Sequence, residues 1–274
     1  VNFTSEVIVA TYNKPEYLRL CLKSIAEQSL RPTSICLADD GSDARIEPVI
    51  EAFRATYPDL PLRRSWHEDR GFRKSVALNR AIAGSECDYL VFLDDDVILH
   101  PKALRRHFSC AMRGRYLTGS LIRLDAELTQ RLLQAQSYDW SEGHLAGWTP
   151  KGRSQWLKSM PFPPAVMALL DRLSPVSPNF QGACASVWRE DVLRVNGFEG
   201  NMSYGGLDKE IGVRLRNAGI RGRHVRYTAP AYHLDHGRSY ADQQVKQANR
   251  DYILTLRKSG ETQARNGIAQ LAEI

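Results

Sequence analysis

Five apolar residues, Tyr89-Leu90-Val91-Phe92-Leu93, run directly into three carboxylates, Asp94-Asp95-Asp96. The apolar part suits a short buried strand. Three adjacent negative charges at its end are costly unless something opposes them, because like charges disfavour ionisation and a strand end lacks bulk water to screen them. A divalent cation answers that cost: carboxylate oxygens suit Mg²⁺ or Mn²⁺, and the metal can in turn hold a substrate's phosphates. The other reading is a solvated acidic turn that merely stops the strand, and so short a run leaves both open.

The surrounding pattern narrows the choice. Strands read at 6–11, 34–38, 62–66 and 88–93, and helices at 15–28, 43–57, 73–83 and 101–112. Strands separated by helices of roughly 10–15 residues imply βαβ units and a mostly parallel sheet, an α/β fold. Functional loops then gather at the carboxyl ends of the strands. Tyr12-Asn13, Asp39-Asp40-Gly41-Ser42 and Asp94 to Asp96 all fall there. Residues 138–178 break the rhythm and read as a long irregular loop, which in a compact domain is functional or disordered. Its Trp140, Trp148 and Trp156 favour a lid or binding loop, since disordered segments are poor in aromatics. Further elements follow: a strand near 183–188, a helix at 207–217, a strand near 224–227 and a helical tail from Tyr240 to about Lys258.

At 274 residues, 43% hydrophobic and 25% charged, the chain can bury a full core. No apolar run approaches the ~20 residues that span a bilayer, and the N-terminus lacks a signal-peptide pattern. The five cysteines form no C-x-x-C pair; they read as reduced core residues, which points to a cytoplasmic setting. A net charge of +6 gathers at Lys102, Arg105, Arg106, His107, Arg113 and Arg115, and again at Arg214, Arg216, Arg221, Arg223 and Arg226. Two solvated faces would explain them; so would attraction to anionic lipid or substrate. Nucleic acid is disfavoured, as no binding motif appears and the aromatics do not interleave with the charge.

No Gly-x-Gly-x-x-Gly follows the first strand, and no P-loop signature occurs, so dinucleotide enzymes and P-loop NTPases are disfavoured. Instead Val7 to Asn13, Ala38-Asp39-Asp40-Gly41-Ser42, Phe92 to Asp96, Asn179-Phe180-Gln181-Gly182, Gly197-Phe198 and Tyr204 to Glu210 appear in the order of the motifs of family 2 glycosyltransferases. The chain resembles that family over residues 6–237, and its 204–210 block is similar to the matching segment of β-1,4-galactosyltransferases and chondroitin-type polymerases. The resemblance implies a GT-A fold, a Rossmann-like sheet flanked by helices. A glycosyltransferase domain over 1–237 would have a nucleotide-sugar half at 1–120 and an acceptor half at 121–237, with a helical tail at 238–274.

The resemblance also assigns roles. Thr11, Tyr12 and Asn13 sit where the first strand meets the nucleotide. Asp40 matches the carboxylate that accepts the uracil N–H, a contact suited to an acceptor-only group; alone, Asp-Gly-Ser is also turn chemistry. Phe72, Lys74 and Asn79 match the segment beside the uridine. In Asp-x-Asp, alternate residues of extended chain point one way, so Asp96 is expected on the metal and Asp94 on ribose or metal, with Asp95 also placed in the nucleotide-sugar set. His233 and His236 match a further metal ligand, and the sequence does not say which. Asp208 matches the general base of inverting members, although as a first-turn residue it could simply cap a helix. Gln181, Gly182, Tyr204, Gly205, Gly206 and Glu210 match the acceptor side. Two departures stand out: Leu207 replaces a usual acid and Tyr204 a frequent Trp.

The expectation is therefore an inverting transferase dependent on Mn²⁺ or Mg²⁺, using a UDP-sugar donor and a glycan or lipid-linked acceptor in surface polysaccharide synthesis, with peripheral contact to an anionic membrane. A sugar-phosphate nucleotidyltransferase is the rival enzyme, but Val7 to Asn13 lack its Gly-rich basic signature. A silent nucleotide-sugar-binding subunit is the rival non-enzyme, and Leu207 favours it. The three tryptophans are expected to stack on acceptor sugars, with 165–170 as a short apolar helix facing lipid or core; padding of a long loop is the alternative.

Overall fold

A computed structural model describes residues 2–273 apart from 142–143, 151, 161 and 238–242. The strands are β1 Ser5–Thr11, β2 Ser34–Asp39, β3 Leu62–Trp66, β4 Tyr89–Asp94, β5 Val97–Leu99, β6 Arg115–Thr118, β7 Ser120–Arg123, β8 Trp140–Ser141, β9 His144–Leu145, β10 Cys184–Trp188, β11 Arg221–His224 and β12 Pro230–His233. The helices are α1 Pro15–Ala26, α2 Glu47–Thr56, α3 Lys74–Ala83, α4 Ala103–Ser109, α5 Ala126–Ala135, α6 Arg153–Ser159, α7 Pro164–Arg172, α8 Arg189–Arg194, α9 Leu207–Asn217 and α10 Gln243–Ser259.

The main sheet runs β11-β6-β10-β4-β1-β2-β3. Its β4-β1-β2-β3 half is parallel, and β10 enters antiparallel between β4 and β6. All of β1 is buried, as expected where helices cover both faces of a parallel strand. Its alternation feeds two cores. Val7 and Val9 pack with Leu18, Leu22 and Ile25 of α1, while Ile8 and Ala10 pack with Ala77 and Ala81 of α3 and with Ile211 of α9. Pro15 opens α1, where its missing N–H costs nothing. A second sheet, β5-β12-β7, is built on a smaller core around Ile98, Ile122, Trp148 and Tyr232.

Several sequence expectations are corrected. The stretch 138–178 is not irregular: it holds the β8–β9 hairpin and helices α6 and α7. Trp148 is buried, and Trp140 packs edge-on against Tyr138 and Tyr232, so both belong to the third core rather than to an acceptor surface. Trp156 remains exposed. The strand expected near 224–227 ends at His224, because Asp171 accepts hydrogen bonds from the Tyr227 N–H and the Thr228 hydroxyl and holds a turn there. The strand β12 was not anticipated. In the basic clusters, Arg214 and His107 are internal.

The tail is not a detached unit. Ile253 and Leu256 of α10 enter the second core, Asn217 donates to the Leu256 and Glu261 carbonyls, and the 3₁₀ turn Ile268–Glu273 packs near α3. The expected start of that helix at Tyr240 lies outside the described residues.

Candidate active site

The β4–β5 turn carries the carboxylates, and the second sheet brings the imidazoles to them. β12 pairs with β5 so that His233 stands opposite Val97, and the Leu234 N–H donates to the Asp96 carbonyl at 2.9 Å. His236 Nε2 lies 2.8 Å from Asp96 Oδ2, and His233 Nε2 lies 3.4 Å from Asp96 Oδ1. Lys14 Nζ reaches Asp96 Oδ2 at 3.1 Å. Burial opposes the charge of Asp96, but the hydrogen bond from His236, with His233 and Lys14 beside it, holds its carboxyl well below the usual carboxylate range. Ligand atoms of Asp96, His233 and His236 lie within 4.8 Å of one another. Asp96 Oδ1 is buried without a hydrogen-bond donor. An orphaned carboxylate oxygen beside two imidazoles is a donor set that fits a divalent metal ion.

Asp95 points away from that cluster. It accepts the Thr11 hydroxyl at 2.9 Å and the Tyr12 N–H at 3.3 Å, and burial together with the Asp96 charge pushes it up to about 7. Thr11 and Asp95 thus engage each other through their side chains. Asn13 is likewise a bracket. With φ 53° it accepts the Asp43 N–H through Oδ1 and donates its own N–H to Ser42 Oγ.

On the nucleotide side, Asp39 is wholly internal, bound by Arg64 and the Ser42 N–H. Asp40 faces differently. Its Oδ2 accepts the Arg73 N–H at 2.9 Å, while Oδ1 lies 3.3 Å from His67 Nε2, and neither of those two atoms has a hydrogen-bond partner. Burial pushes Asp40 up to about 7 despite the Arg73 N–H. Gly41, at φ +90°, lets this loop approach the 67–72 segment: a Cβ there would sit 2.5 Å from the Asp69 backbone. Tyr12 donates its hydroxyl to Asp69 at 2.8 Å. The exposed Phe72 packs edge-on against Tyr204 at 5.9 Å. Asn79 is a correction: it is buried and spends its amide on the Phe198 N–H and carbonyl, tying α3 to Gly197-Phe198.

The third part surrounds Asp208, in the first turn of α9 behind Gly206. Gly182 is required beneath it, since a Cβ there would lie 2.4 Å from Asp208 Oδ1. Lys74 Nζ binds Asp94 Oδ1 at 2.5 Å, and its charge also acts on Asp208. Lys74 therefore pairs with Asp94 while its charge favours the ionised form of Asp208. Burial raises the carboxyl of Asp208, with Lys74 opposing. A cavity of about 400 Å³ opens beside it, lined among others by Asn179, Gln181, Ser120, His224 and Arg226. Tyr204, Gly205 and Gly206 form the approach, the glycines at φ +96° and +124°. Asn249 of α10 grips this loop by donating to the Gly205 carbonyl at 2.8 Å. Glu210 is the second clear correction: it is fully buried in a two-pronged ion pair with Arg214. Leu207 also points inward, into the second core.

Sequence reasoning missed Lys14 beside Asp96, the approach of His67 to Asp40, and the cavity residues His224 and Arg226. For Lys14 the signal was present, a cation after Tyr12-Asn13 at a strand end facing three carboxylates. The others depend on pairings between distant segments.

A family model described as Glycosyl transferase family 2 matches residues 6–174. Hyaluronan synthase of Pasteurella multocida is 29% identical over 96 residues, 35% of this chain and 10% of that protein. Validoxylamine A glucosyltransferase of Streptomyces hygroscopicus subsp. limoneus is 26% identical over 223 residues, 78% of this chain and 48% of that protein. The chain thus spans about half or less of the length of these relatives. The solved structure of GalNAc-T7 with UDP, GalNAc and Mn²⁺ superposes with a TM-score of 0.64 at 14% identity, covering 93% of this chain and 48% of that one. The fold is that of the GT-A glycosyltransferases, and with the family model matching more than half its length, the chain belongs to glycosyl transferase family 2.

Proposed function

We propose that the chain is an inverting, metal-dependent transferase that moves a sugar from a UDP-sugar to a hydroxyl of a glycan or lipid-linked acceptor. The observation that carries this reading is the place of Asp208, a buried carboxyl on the wall of a cavity of about 400 Å³, within the field of Lys74, which pairs with Asp94 at the β4 strand end. Asp40, held by the Arg73 N–H and lying beside His67, is the carboxylate that accepts the uracil N–H in this reading. The acceptor O–H gives its proton to Asp208. Its oxygen bonds to the anomeric carbon as the bond to the UDP oxygen breaks and the electron pair leaves with UDP. Asp96, His233 and His236 would hold a divalent cation, Mn²⁺ or Mg²⁺, which would supply Lewis-acid stabilisation of the charge on a departing diphosphate. Lys74 steadies the ionised form of Asp208 before transfer. The hyaluronan synthase relative supports a polysaccharide product, and the exposed apolar side of α7 supports work at the cytoplasmic face of a membrane.

The test is UDP release from a panel of UDP-sugars with Mn²⁺, paired with calorimetric UDP binding. Asp208→Asn should bind UDP like wild type and lose turnover by about 10²-fold or more, the scale of general-base catalysis. Near-normal turnover in that variant removes Asp208 from the reaction. Transfer from GDP-sugars in place of UDP-sugars overturns the donor assignment.

A further inference from the structure

A second cavity, of about 440 Å³, opens between α9 and α10, lined by Val213, Arg216 and Asn217 of the first helix and by Arg257 of the second. It adjoins the cavity beside Asp208, since Ser177 and Asn179 line both. The wall those two residues form is firmly held. The Tyr116 hydroxyl donates to the Pro178 carbonyl at 2.7 Å, and Gly212 lets α9 press on the segment, where an added Cβ would sit 2.9 Å from Phe180 Cβ. Asn217 fixes the other wall by donating to the Leu256 and Glu261 carbonyls at 3.0 and 2.8 Å, which flank Arg257 in the chain. Two guanidinium groups from two helices thus line one concavity. Among the described residues neither has a hydrogen-bond or ion-pair partner, and no carboxylate lines that cavity. Glu261, the acid nearest Arg257 in sequence, is engaged by Arg265. Across both cavities Asp208 is the sole acid among the lining residues, against Lys209, Arg216, Arg226 and Arg257. Two unneutralised guanidinium groups sharing a cavity are stabilised by a carboxylate between them, because their planar forks match its two oxygens.

We infer that the α9–α10 cavity is a remote anchoring subsite for an acidic oligosaccharide, in which Arg216 and Arg257 take the carboxylate of an inner uronic acid while the terminal sugar lies beside Asp208. Asp208 and Arg216 are eight positions apart on one helix, a rise of about 12 Å, roughly two or three hexose units. Between them Val213 is buried, and Ser177 and Asn179 offer polar groups that suit sugar hydroxyls better than a lipid tail. Which end of the glycan faces Asp208 rests on the proposed transferase reading; the binding of the carboxylate does not.

Calorimetric titration with maltotetraose, tetragalacturonate and a hyaluronan tetrasaccharide, in saturating UDP so that the donor site is filled, tests it. The wild type should bind at least one acidic tetrasaccharide about tenfold or more tightly than the neutral one, the scale of hydrogen bonds to a charged group. Arg216→Gln/Arg257→Gln should lose that margin with UDP affinity unchanged, and Arg216→Lys/Arg257→Lys should keep part of it. Neither guanidinium holds another protein group, so the Gln variant should melt with wild type, which separates lost binding from lost folding. Arg80→Gln/Arg194→Gln removes two exposed charges that line neither cavity and should keep the margin. Equal affinity of wild type for neutral and acidic tetrasaccharides overturns the inference, as does a margin that survives in Arg216→Gln/Arg257→Gln. Loss of the margin in Arg80→Gln/Arg194→Gln as well assigns it to net charge and equally overturns it. So does inorganic phosphate or free galacturonate binding as tightly as the acidic tetrasaccharide, since a glycan anchored at one end only needs no track to Asp208. A margin confined to Arg216 and Arg257 without any UDP-sugar turnover leaves the subsite standing and removes the transferase reading instead.

Discussion

His107 shows what burial does to a single ionisable side chain. It lies within the main core, with Nδ1 2.7 Å from Ser186 Oγ, and burial followed by the nearby Arg106 charge pushes it down to about 4. The unfolded chain carries an ordinary histidine, so between about pH 6.5 and pH 4 the unfolded state binds the extra proton. Stability from neutral His107 is therefore complete above pH 6.5 and is lost as pH falls towards 4, by about 3 kcal/mol across that window. Urea titrations at stepped pH should show this loss in wild type and a flatter profile in His107→Gln; parallel profiles would assign the acid sensitivity to other groups. In sequence the same residue read as part of a basic surface. The resemblance to the family singled out Asp96, His233 and His236, and the fold brings those three side chains together. That resemblance misled at Asn79 and Glu210, whose motif positions fit a binding role while their side chains turn inward onto Phe198 and Arg214. Direction is set by packing between segments far apart in the chain.

At the scale of elements, the βαβ half was readable because a short buried strand and an amphipathic helix each leave a clear period. The 138–178 insertion was not, since its helices are short, seven residues in α6 and nine in α7, and its hairpin strands have two residues each. The apolar helix expected at 165–170, facing lipid or core, is present within α7, and it adds no buried apolar residue to any of the three cores. Val166 and Leu169, with Leu173 and Val176 just beyond, are exposed. An apolar helix side next to basic strands suits the interface of an anionic bilayer. Sedimentation with phosphatidylglycerol vesicles should pull down the wild type, and Leu169→Asp/Leu173→Asp should abolish it while UDP binding persists. Wild type that stays in the supernatant at low salt would end the membrane proposal.

Across the whole molecule, the strand order explains why functional segments so distant in sequence meet. β4 lies between β1 and β10, so the Asp94 end, the Tyr12 loop and the Gly182 turn share one rim of the sheet. The C-terminal helix α10 closes that arrangement from outside, with Asn249 on the Gly205 carbonyl and Ile253 near Gly206. Asn249→Ala should lower the transfer rate several-fold and leave UDP affinity intact, because the grip acts on the loop before Asp208 and not on the uridine cradle. An unchanged rate, measured by released UDP, would make α10 a mere cover. The grip spans 44 positions of chain, and that has a consequence during synthesis. Chains emerge from the ribosome N-terminal part first, at roughly 5–20 residues per second. The Gly205 loop therefore gains its clamp only after α10 has been made, and a chain cut short before Asn249 leaves the segment in front of Asp208 without that hold.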